Sequence, residues 1–275
     1  MCGRYASARK AEDIAASFGI RPERVDGSLD ADYNVAPTKP VYAVVERTPR
    51  DEDADEPVRQ LRVARWGLVP SWAKDVSIGN RLINARVETA ADKPAFRRAF
   101  AARRCLLPAD GYYEWWKGTG PDGKQVKQPF FIRPRDGSVL AMAGLYEFWR
   151  DPAAERRPDG ATTGAERRPD GATTGREGDD AWVFSVTILT TSAEDDLGLV
   201  HDRMPLMVEP EAWQAWLDPA RQDPAAVREL LTPASPGLLE GYPVSREVND
   251  VRHAGAHLID PAPAEDVPED VPALF

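Results

Sequence analysis

The chain of 275 residues is acidic, with 35 Lys and Arg against 45 Asp and Glu and a formal net charge of -10. Its length and its 42% hydrophobic content, which includes eight tryptophans, predict a folded chain with a sizeable core in one large domain or two small ones. It has no apolar run of 18 residues and no N-terminal apolar h-region, which argues against a membrane partner and favours a cytoplasmic protein.

The overall charge hides one basic segment. Net negative charge argues against a nucleic-acid partner, because affinity for a phosphate backbone comes largely from Lys and Arg. Residues 59–104 nevertheless hold eleven basic and three acidic side chains, a local net charge of +8. The segment fits two interpretations, a groove that binds a polyanion and a helix with a solvated arginine face.

Cys2 becomes the N-terminal residue if Met1 is removed. It would then carry an α-amine with a pKa of about 8 and a thiol with a pKa of about 8.5 on adjacent carbons, a pair that no internal cysteine offers. The second cysteine, Cys105, lies in the apolar run Cys-Leu-Leu and is predicted to be buried and inert. Two cysteines make no disulfide framework.

Hydrophobic patterning predicts a helix over residues 12–18, because Ile14, Ala15 and Phe18 share one helical face and Gly19 can end it. Strand-like segments are predicted at residues 41–46, 61–66, 111–116, 129–133, 139–148 and 182–190. Short helices are predicted at residues 93–102, 210–217 and 224–231. Because strands outnumber helices and do not alternate with them regularly, we expect an α+β fold.

Two tryptophans, Trp66 and Trp72, flank a turn-prone Val-Pro-Ser within the string "RWGLVPSWAKD" at residues 65–75. They fit either core packing or the stacking of unpaired bases, since aromatic rings among basic residues are one way of holding single-stranded nucleic acid. The string "NARVET" at residues 84–89 adds an amide, a guanidinium and a carboxylate. Salt-bridged surface residues would produce the same string.

The string "PADGYYEWW" predicts a turn followed by a strand in which Tyr112, Glu114 and Trp116 share one face, while Tyr113 and Trp115 share the other. A carboxyl group among aromatic side chains tends to have a raised pKa through desolvation, as a general acid requires. The alternative is a glutamate that faces solvent.

An 11-residue string, AERRPDGATTG, occurs twice in tandem across residues 154–175. Its Pro, Gly, Asp and Thr content, between two strand patterns, predicts a duplicated surface loop without a role of its own. Further along, "LVHDRMP" contains His201, the only histidine among the first 250 residues. With Asp202 and Arg203 it fits an acid–base and phosphate-contact cluster, although a lone histidine is more often structural.

The sequence has no spaced Cys and His ligands, no Walker loop and no Gly-x-Gly-x-x-Gly loop, so neither a metal nor a cofactor is predicted. His253 and His257 are interpreted as surface residues. The last 25 residues, 251–275, are predicted to form an acidic, partly ordered C-terminal tail.

Six strings in the same order, "MCGRY", "YNVAPT", "WGLVPSWAKD", "NARVET", "PADGYYEW" and "HDRMP", resemble the SOS-response-associated peptidase (SRAP) family. The resemblance implies one α+β domain over residues 1–250, with a mixed, mostly antiparallel barrel-like sheet core and short peripheral helices. It also implies a positively charged DNA groove and a covalent crosslink to abasic sites in single-stranded DNA as part of the DNA damage response. The partner is then single-stranded DNA, bound by a monomer that is cytoplasmic and nucleoid-associated when on DNA.

Carried onto this sequence, the family's catalytic residues are Cys2 after loss of Met1, Asn84, Glu114 and His201. The residues expected to line the DNA groove are Arg4, Asn34, Arg86 and Arg203, with Trp66, Trp72 and Trp115 as platforms for bases or sugars. Glu114 is assigned to proton transfer during ring opening and dehydration, and His201 to acid–base work at the sugar O4′ or in reversal. Asn84 is assigned to orienting the α-amine.

The side-chain chemistry agrees with these roles. An abasic site exists partly as an open-chain aldehyde, to which an amine adds to give an imine. The neighbouring thiol of Cys2 can close this imine into a thiazolidine, which leaves a stable DNA–protein adduct without any cofactor. A lyase-like activity, and a peptidase activity that removes Met1, complete the expected chemistry.

Two alternatives remain open from the sequence. The first is an N-terminal-nucleophile hydrolase, a peptidase or a glutamine amidotransferase, because class II glutamine amidotransferases also begin Met-Cys-Gly. Their opening continues into an apolar strand, whereas residues 4–7 here are predicted to be polar and to lead into a helix. The second is a non-catalytic nucleic-acid binder in which Cys2 is incidental.

Overall fold

Strands outnumber helices in the computed structural model, which describes residues 2–48, 56–119, 124–152, 182–193, 195–231, 237–268, 270–272 and 274. The strands are β1 (Tyr5–Ser7), β2 (Val25–Asp26), β3 (Asp32–Val35), β4 (Pro40–Arg47), β5 (Val58–Trp66), β6 (Asn84–Arg86), β7 (Arg104–Ala109), β8 (Gly111–Thr119), β9 (Gln125–Pro134), β10 (Leu140–Arg150), β11 (Trp182–Ser192), β12 (Arg203–Pro205) and β13 (Leu239–Pro243). The α-helices are α1 (Ala11–Ser17), α2 (Val87–Ala90), α3 (Arg97–Ala102), α4 (Trp213–Leu217) and α5 (Pro224–Arg228). The predicted α+β class is confirmed.

Five strands close into a barrel in the order β4, β5, β11, β10 and β7. Neighbouring strands run antiparallel except β5 and β11, which are parallel. The ring closes where Val44 of β4 pairs with Leu106 of β7. This confirms the mixed, mostly antiparallel, barrel-like sheet that the family resemblance implies.

The barrel strands are apolar on both faces. Along β10, Met142 and Tyr146 point into the barrel core, whereas Ala143 and Leu145 belong to an outer cluster that helices α1, α3, α4 and α5 help to cover. Strands buried on both faces read as continuous apolar runs rather than as alternating ones. Gly144 makes close packing possible in this layer, because a Cβ there would lie 2.2 Å from Leu107 Cδ1.

A second sheet contains β1, the first strand of the chain, and places it against the barrel. Its strands follow the order β13, β9, β8, β1 and β3, and all neighbours are antiparallel. Tyr5 of β1 pairs with Val35 on one side and Tyr112 on the other, and its ring lies 5.2 Å from that of Trp66 at the end of β5. The first residues are therefore fixed where the two sheets meet.

The predicted strands and helices are present with shifted ends. Helix 12–18 is α1, and it ends before Gly19, which has the left-handed φ of +63° that glycine adopts most readily. All six predicted strands are longer than their apolar pattern. The helix predicted from residue 93 begins only at Arg97, because the preceding residues form a turn.

One expectation about the start of the chain is wrong. Residues 4–7 do lead into a helix, α1, but they do not form an exposed polar segment, because Tyr5–Ser7 is a strand whose Tyr5 and Ala6 are fully buried. Two neighbouring strands pair with it, so tertiary context determines its conformation more than its own composition does. The opening segment therefore no longer distinguishes this chain from class II glutamine amidotransferases, whose opening continues into an apolar strand.

Residues 251–275 lie against the rest of the domain in their described part. Leu258 is fully buried, Pro261 pairs with Val244, and Leu274 packs against the barrel core. The predicted loop at residues 154–175 lies outside the described residues. Among the described helices, the longest has seven residues, and none has the length and apolarity of a bilayer-spanning segment.

Candidate active site

Cys2 lies at the junction of the two sheets and is fully buried. Its carbonyl oxygen accepts a hydrogen bond of 2.6 Å from Asn84 Nδ2, and its Sγ lies 3.8 Å from the carbonyl oxygen of Arg4. Burial, and secondly the charge of Glu114, raise the pKa of the Cys2 thiol well above its ordinary value. The thiol is therefore protonated at neutral pH in this chain, which still carries Met1; Met1 itself lies outside the described residues.

Glu114 is positioned by the alternation of β8, which turns it toward the barrel side with Tyr112 and Trp116 and away from Tyr113 and Trp115, as predicted. Only 3% of the residue is exposed. Desolvation raises the pKa of the carboxyl group to about 7, while the positive charge at the start of the chain acts in the opposite direction. The predicted rise is confirmed, and it gives a carboxyl group that can donate or accept a proton near neutrality.

Asn84 opens β6, which pairs in parallel with β11 through Ile188. Its Nδ2 is bonded to the Cys2 carbonyl, and within the described residues its buried Oδ1 has no hydrogen-bond partner. A buried acceptor without a donor costs free energy, so it is a feature that calls for an explanation. An amine at Cys2 would be a suitable donor.

His201 lies in the loop before β12, with a quarter of its side chain exposed. Burial first, and then the positive charge at the start of the chain, lower the pKa of His201 below its ordinary value, so the imidazole is neutral at neutral pH. That same charge acts on Glu114. Lys117 also acts on the pKa of both Glu114 and His201. The structure therefore brings Asn84 and Glu114 to Cys2, and His201 lies within reach of a charge that also acts on Glu114.

Two predicted groove residues are instead buried inside the protein. Trp66 is fully buried, and its indole Nε1 donates to the carbonyl oxygen of Ile83 at 2.9 Å, so its assignment as a platform is wrong. Asn34 is also fully buried, and its Nδ2 donates to three main-chain carbonyls, those of Val248, Asp250 and His253. No DNA chain can reach either side chain in this conformation.

Arg4 and Trp115 take part in the same internal network. Arg4 Nη1 donates to Asn34 Oδ1 at 2.6 Å and to the carbonyl oxygen of Val248 at 2.8 Å, with its guanidinium 5.9 Å from the centre of the Trp115 ring. Trp115 Nε1 donates to Asn249 Oδ1 at 2.7 Å. Both side chains are only partly exposed, so their DNA contacts remain predictions.

Exposure favours two other groove residues. Trp72 is 56% exposed and Arg86 is exposed beside Asn84, so both are accessible to a ligand. Arg203 is different, because its side chain is 11% exposed and forms a two-pronged ion pair with Glu88. Its contact with DNA also remains a prediction.

The basic segment 59–104 is less uniform than its sequence indicates. Arg104 is buried and donates to main-chain carbonyls, and Arg59 and Arg103 pair with Glu46 and Glu147. These three arginines stabilise the barrel and its helices. The exposed cations of the segment are Lys74, Arg81, Arg86, Lys93, Arg97 and Arg98.

Sequence patterns did not single out several residues around the site. Tyr5 and Tyr112 are buried beside Cys2 in the same apolar cluster, and within the described residues the Tyr5 hydroxyl has no hydrogen-bond partner. Glu88 lies in the string "NARVET", and the sequence alone assigns no role to it. Among the described residues, no three His, Cys, Asp or Glu side chains form a group that could hold a metal ion.

Comparisons with known proteins agree on one family. The family model described as SOS response associated peptidase (SRAP) matches residues 1–251. The abasic site processing protein YoqW of Bacillus subtilis is 33% identical over 260 residues, which cover 94% of this chain and 99% of that protein. The abasic site processing protein YedK of Escherichia coli is 34% identical over 269 residues, 95% of this chain and 100% of that protein.

Two matches have lower sequence identity. The abasic site processing protein HMCES of Gallus gallus is 28% identical over 285 residues, which cover 92% of this chain and 75% of that protein. A protein of Bacteroides thetaiotaomicron with a solved crystal structure superposes with a TM-score of 0.69 at 22% identity, over 95% of this chain and 100% of that chain. The latter supports the fold alone.

Proposed function

The chain belongs to the SOS response associated peptidase family, and from this premise we propose that it processes abasic sites in DNA by crosslinking to them through the amine and thiol of Cys2. The observation that carries the proposal is the setting of Cys2. Its carbonyl is held by Asn84, and beside it lies Glu114, whose pKa is raised to about 7. The curated relatives named above are abasic site processing proteins by name.

The proposed reaction begins with loss of Met1, which frees the α-amine of Cys2. The amine attacks the C1′ aldehyde of the open-chain abasic site and forms a carbinolamine. Glu114 in its protonated form donates a proton to the departing hydroxyl, which leaves as water and gives an iminium ion. The N–H proton of this ion then returns to the Glu114 carboxylate, which leaves an imine. Asn84 Oδ1, which accepts no hydrogen bond within the described residues, would accept one from the amine and hold it toward the aldehyde.

Ring closure follows from the same geometry. The Cys2 sulfur attacks the imine carbon, a carbon–sulfur bond forms, and the thiol proton is transferred to the nitrogen through Glu114. The overall change is the loss of one water molecule, and the product is a thiazolidine that shields the lesion. His201, neutral at neutral pH, is assigned to proton transfer at the sugar O4′ when the ring opens.

We propose single-stranded DNA as the partner. Stacking on a ring requires an unpaired base face, and Trp72 exposes its indole. Arg86 is an exposed cation of the same basic segment, 59–104. Duplex DNA offers no such face, so it is expected to bind more weakly.

A denaturing gel tests the proposal. Untagged protein incubated with single-stranded DNA that carries one abasic site should give a band that survives denaturation, and intact mass should show loss of Met1. Protein with an uncleaved N-terminal tag should bind the DNA without forming that band, because its amine is blocked. A Cys2→Ser variant should give at most an imine that borohydride can trap. Equal crosslinking by tagged and untagged protein would refute the mechanism.

An N-terminal-nucleophile hydrolase is the second candidate. The specific observation in its favour is that the chain opens into a strand, Tyr5–Ser7, whose first two residues are fully buried, as expected for the opening of such an enzyme. Release of glutamate from glutamine, or cleavage of peptides, by untagged protein but not by Cys2→Ala would favour this candidate. A non-catalytic binder would instead retain all its DNA complexes in Cys2→Ala.

A further inference from the structure

A two-pronged ion pair links the segments that carry Asn84 and His201. Glu88 Oε1 lies 2.6 Å from Arg203 Nη1, and Glu88 Oε2 lies 3.0 Å from Arg203 Nη2. Glu88 is in α2, directly after the strand that begins at Asn84, and Arg203 begins β12, two residues after His201.

This pair spans a shared strand. β11 pairs with β6 on one side and with β12 on the other, and Thr190 takes part in both pairings. Arg203 Nη2 also donates to the carbonyl oxygen of Thr190 at 2.5 Å. The Arg203 side chain therefore fastens β12 to β11, and through Glu88 to the segment that continues from β6.

Water screens the charge of Arg203 less than it screens the charge of Glu88, because the arginine is more deeply buried. The side chain of Arg203 is 11% exposed and that of Glu88 is 48% exposed. The hydrogen bond from Arg203 is the main cause that lowers the pKa of Glu88 below its ordinary value, so Glu88 is ionised at neutral pH. A bidentate carboxylate–guanidinium pair fixes geometry as well as charge. Glu88 thus neutralises the charge of Arg203.

The backbone of Arg203 also reaches His201. The main-chain N–H of Arg203 donates to His201 Nδ1 at 2.9 Å, so the neutral imidazole carries its proton on Nε2. Asp202 Oδ1 is 2.9 Å from the same Nδ1, but this carboxylate is 87% exposed and would pair only with a protonated ring. The position of Arg203 therefore sets which nitrogen of His201 can donate a proton.

We propose that Glu88 is a positioning residue that acts through Arg203. It holds His201 and Asn84 in register for the chemical step, and it keeps the charge of Arg203 from contributing fully to DNA affinity. The proposal rests on the proposed function of the Cys2 site. It assigns opposite effects to one side chain, since Glu88 favours the rate of crosslinking and opposes the binding of DNA.

The Glu88→Gln variant tests both effects. The amide keeps the shape of the carboxylate but can accept only with its oxygen, and its NH₂ group opposes the second guanidinium nitrogen. Single-stranded DNA should bind more tightly, with the slope of log K against log salt steeper by about 0.7, the value for one further phosphate contact. At saturating abasic DNA, crosslinking should be roughly 10- to 100-fold slower, as expected when catalytic groups shift by about an ångström.

Two further variants distinguish the proposed positioning role of Glu88 from a nonspecific effect of the substitution. Glu12→Gln removes the same charge from an exposed position in α1, and it should leave the rate and the salt slope unchanged. In an Arg203→Met background, Glu88→Gln should cause no additional loss of rate, because Glu88 is proposed to act only through Arg203. An unchanged rate in Glu88→Gln, or a slower rate with unchanged salt slope, would overturn the proposal.

A spectroscopic measurement keeps this test independent of the crosslink. In the DNA-free protein, the ¹⁵N shifts of His201 should report a proton on Nε2 in the wild type and a mixture of both tautomers in Glu88→Gln. If wild-type protein forms no crosslink, the proposed function fails, and these shifts still decide the role of Glu88. Identical His201 spectra in the two proteins would refute that role.

Discussion

Glu114 combines deep burial with a carboxyl group whose pKa is raised from 4.5 to about 7 by desolvation. A raised pKa means that the folded protein binds the proton more tightly than the unfolded chain does. The contribution of this residue to stability is therefore best below about pH 4.5 and is lost as the pH rises to about 7. The function proposed for Glu114 uses the same proton whose loss destabilises the fold.

The Glu114→Gln variant should thus be more stable and less active. At pH 8 its free energy of unfolding should exceed that of the wild type by up to about 3 kcal/mol, and the gain should vanish near pH 4.5. Crosslinking should be roughly 10²- to 10⁴-fold slower, the usual range for losing a general acid or base. Urea denaturation at both pH values and single-turnover crosslinking measure the two effects. A variant that is no more stable at pH 8 would contradict the burial of a titrating carboxyl group.

Arg4, Asn34 and the segment from Arg246 to His253 together form an internal clasp behind Cys2. Asn34 donates to three carbonyls of this segment and accepts a hydrogen bond from Arg4, which is two residues from Cys2. Removal of the amide would take a donor from the partly buried carbonyl of His253, whereas the carbonyls of Val248 and Asp250 keep a second donor, the Arg4 guanidinium and the His253 N–H. The C-terminal part of the domain thereby holds the N-terminal strand in place.

The Asn34→Ala variant should lower the free energy of unfolding by roughly 1–3 kcal/mol, the cost of the lost hydrogen bonds and of one partly buried carbonyl that loses its donor. It should also slow crosslinking, because β1 and hence Cys2 lose a fixed support. Asn80→Ala serves as the control, since Asn80 is exposed and its Oδ1 accepts a hydrogen bond from Arg65. Denaturation curves of the two variants that coincide would show that the clasp contributes nothing to stability.

Strands with a long run of apolar residues can be predicted from the sequence. β4, β10 and β11 have eight to eleven residues and are rich in apolar side chains, so their existence could be read from the sequence. By contrast, β6 and β12 have three residues each, too few for any periodicity, and their strand form depends on pairing with β11. β6, which carries Asn84, and β12, which follows His201, are thus the strands at the site that local sequence specifies least.

The same limit applies to the site residues. Alternation along β8 correctly indicated the faces of Glu114 and Tyr113, because side-chain direction follows from strand geometry. Burial of Trp66 and Asn34 could not be predicted, since it depends on which distant segments cover them. An aromatic ring next to arginine looks the same in a sequence whether it faces DNA or a barrel core.

At the scale of the whole molecule, the length of β11 separates the connection between β10 and β11 from Arg203. β11 runs from Trp182, which pairs with Arg150, to Ser192, which pairs with Arg203. At about 3.3 Å per residue, the ten steps along this strand span roughly 33 Å. Asn84 pairs with this strand six residues from Trp182. The connection between β10 and β11, which contains the repeat, therefore begins about 20 Å along the strand from Asn84 and at the opposite end from Arg203.

Deletion of one repeat copy, residues 165–175, should consequently leave the protein folded and active. The ends of the connection are already held together by the Arg150–Trp182 pairing and by the Arg150 guanidinium 6.0 Å from the Trp182 ring. Loop-closure entropy changes by only about 0.6 kcal/mol for each doubling of length, so the free energy of unfolding should change by less than that. Both the thermal midpoint and the crosslinking rate should match those of the full chain. A deletion variant that remains folded but crosslinks more slowly would mean that the repeat acts on DNA bound at the opposite end of β11. The prediction of a surface loop without a role would then be wrong.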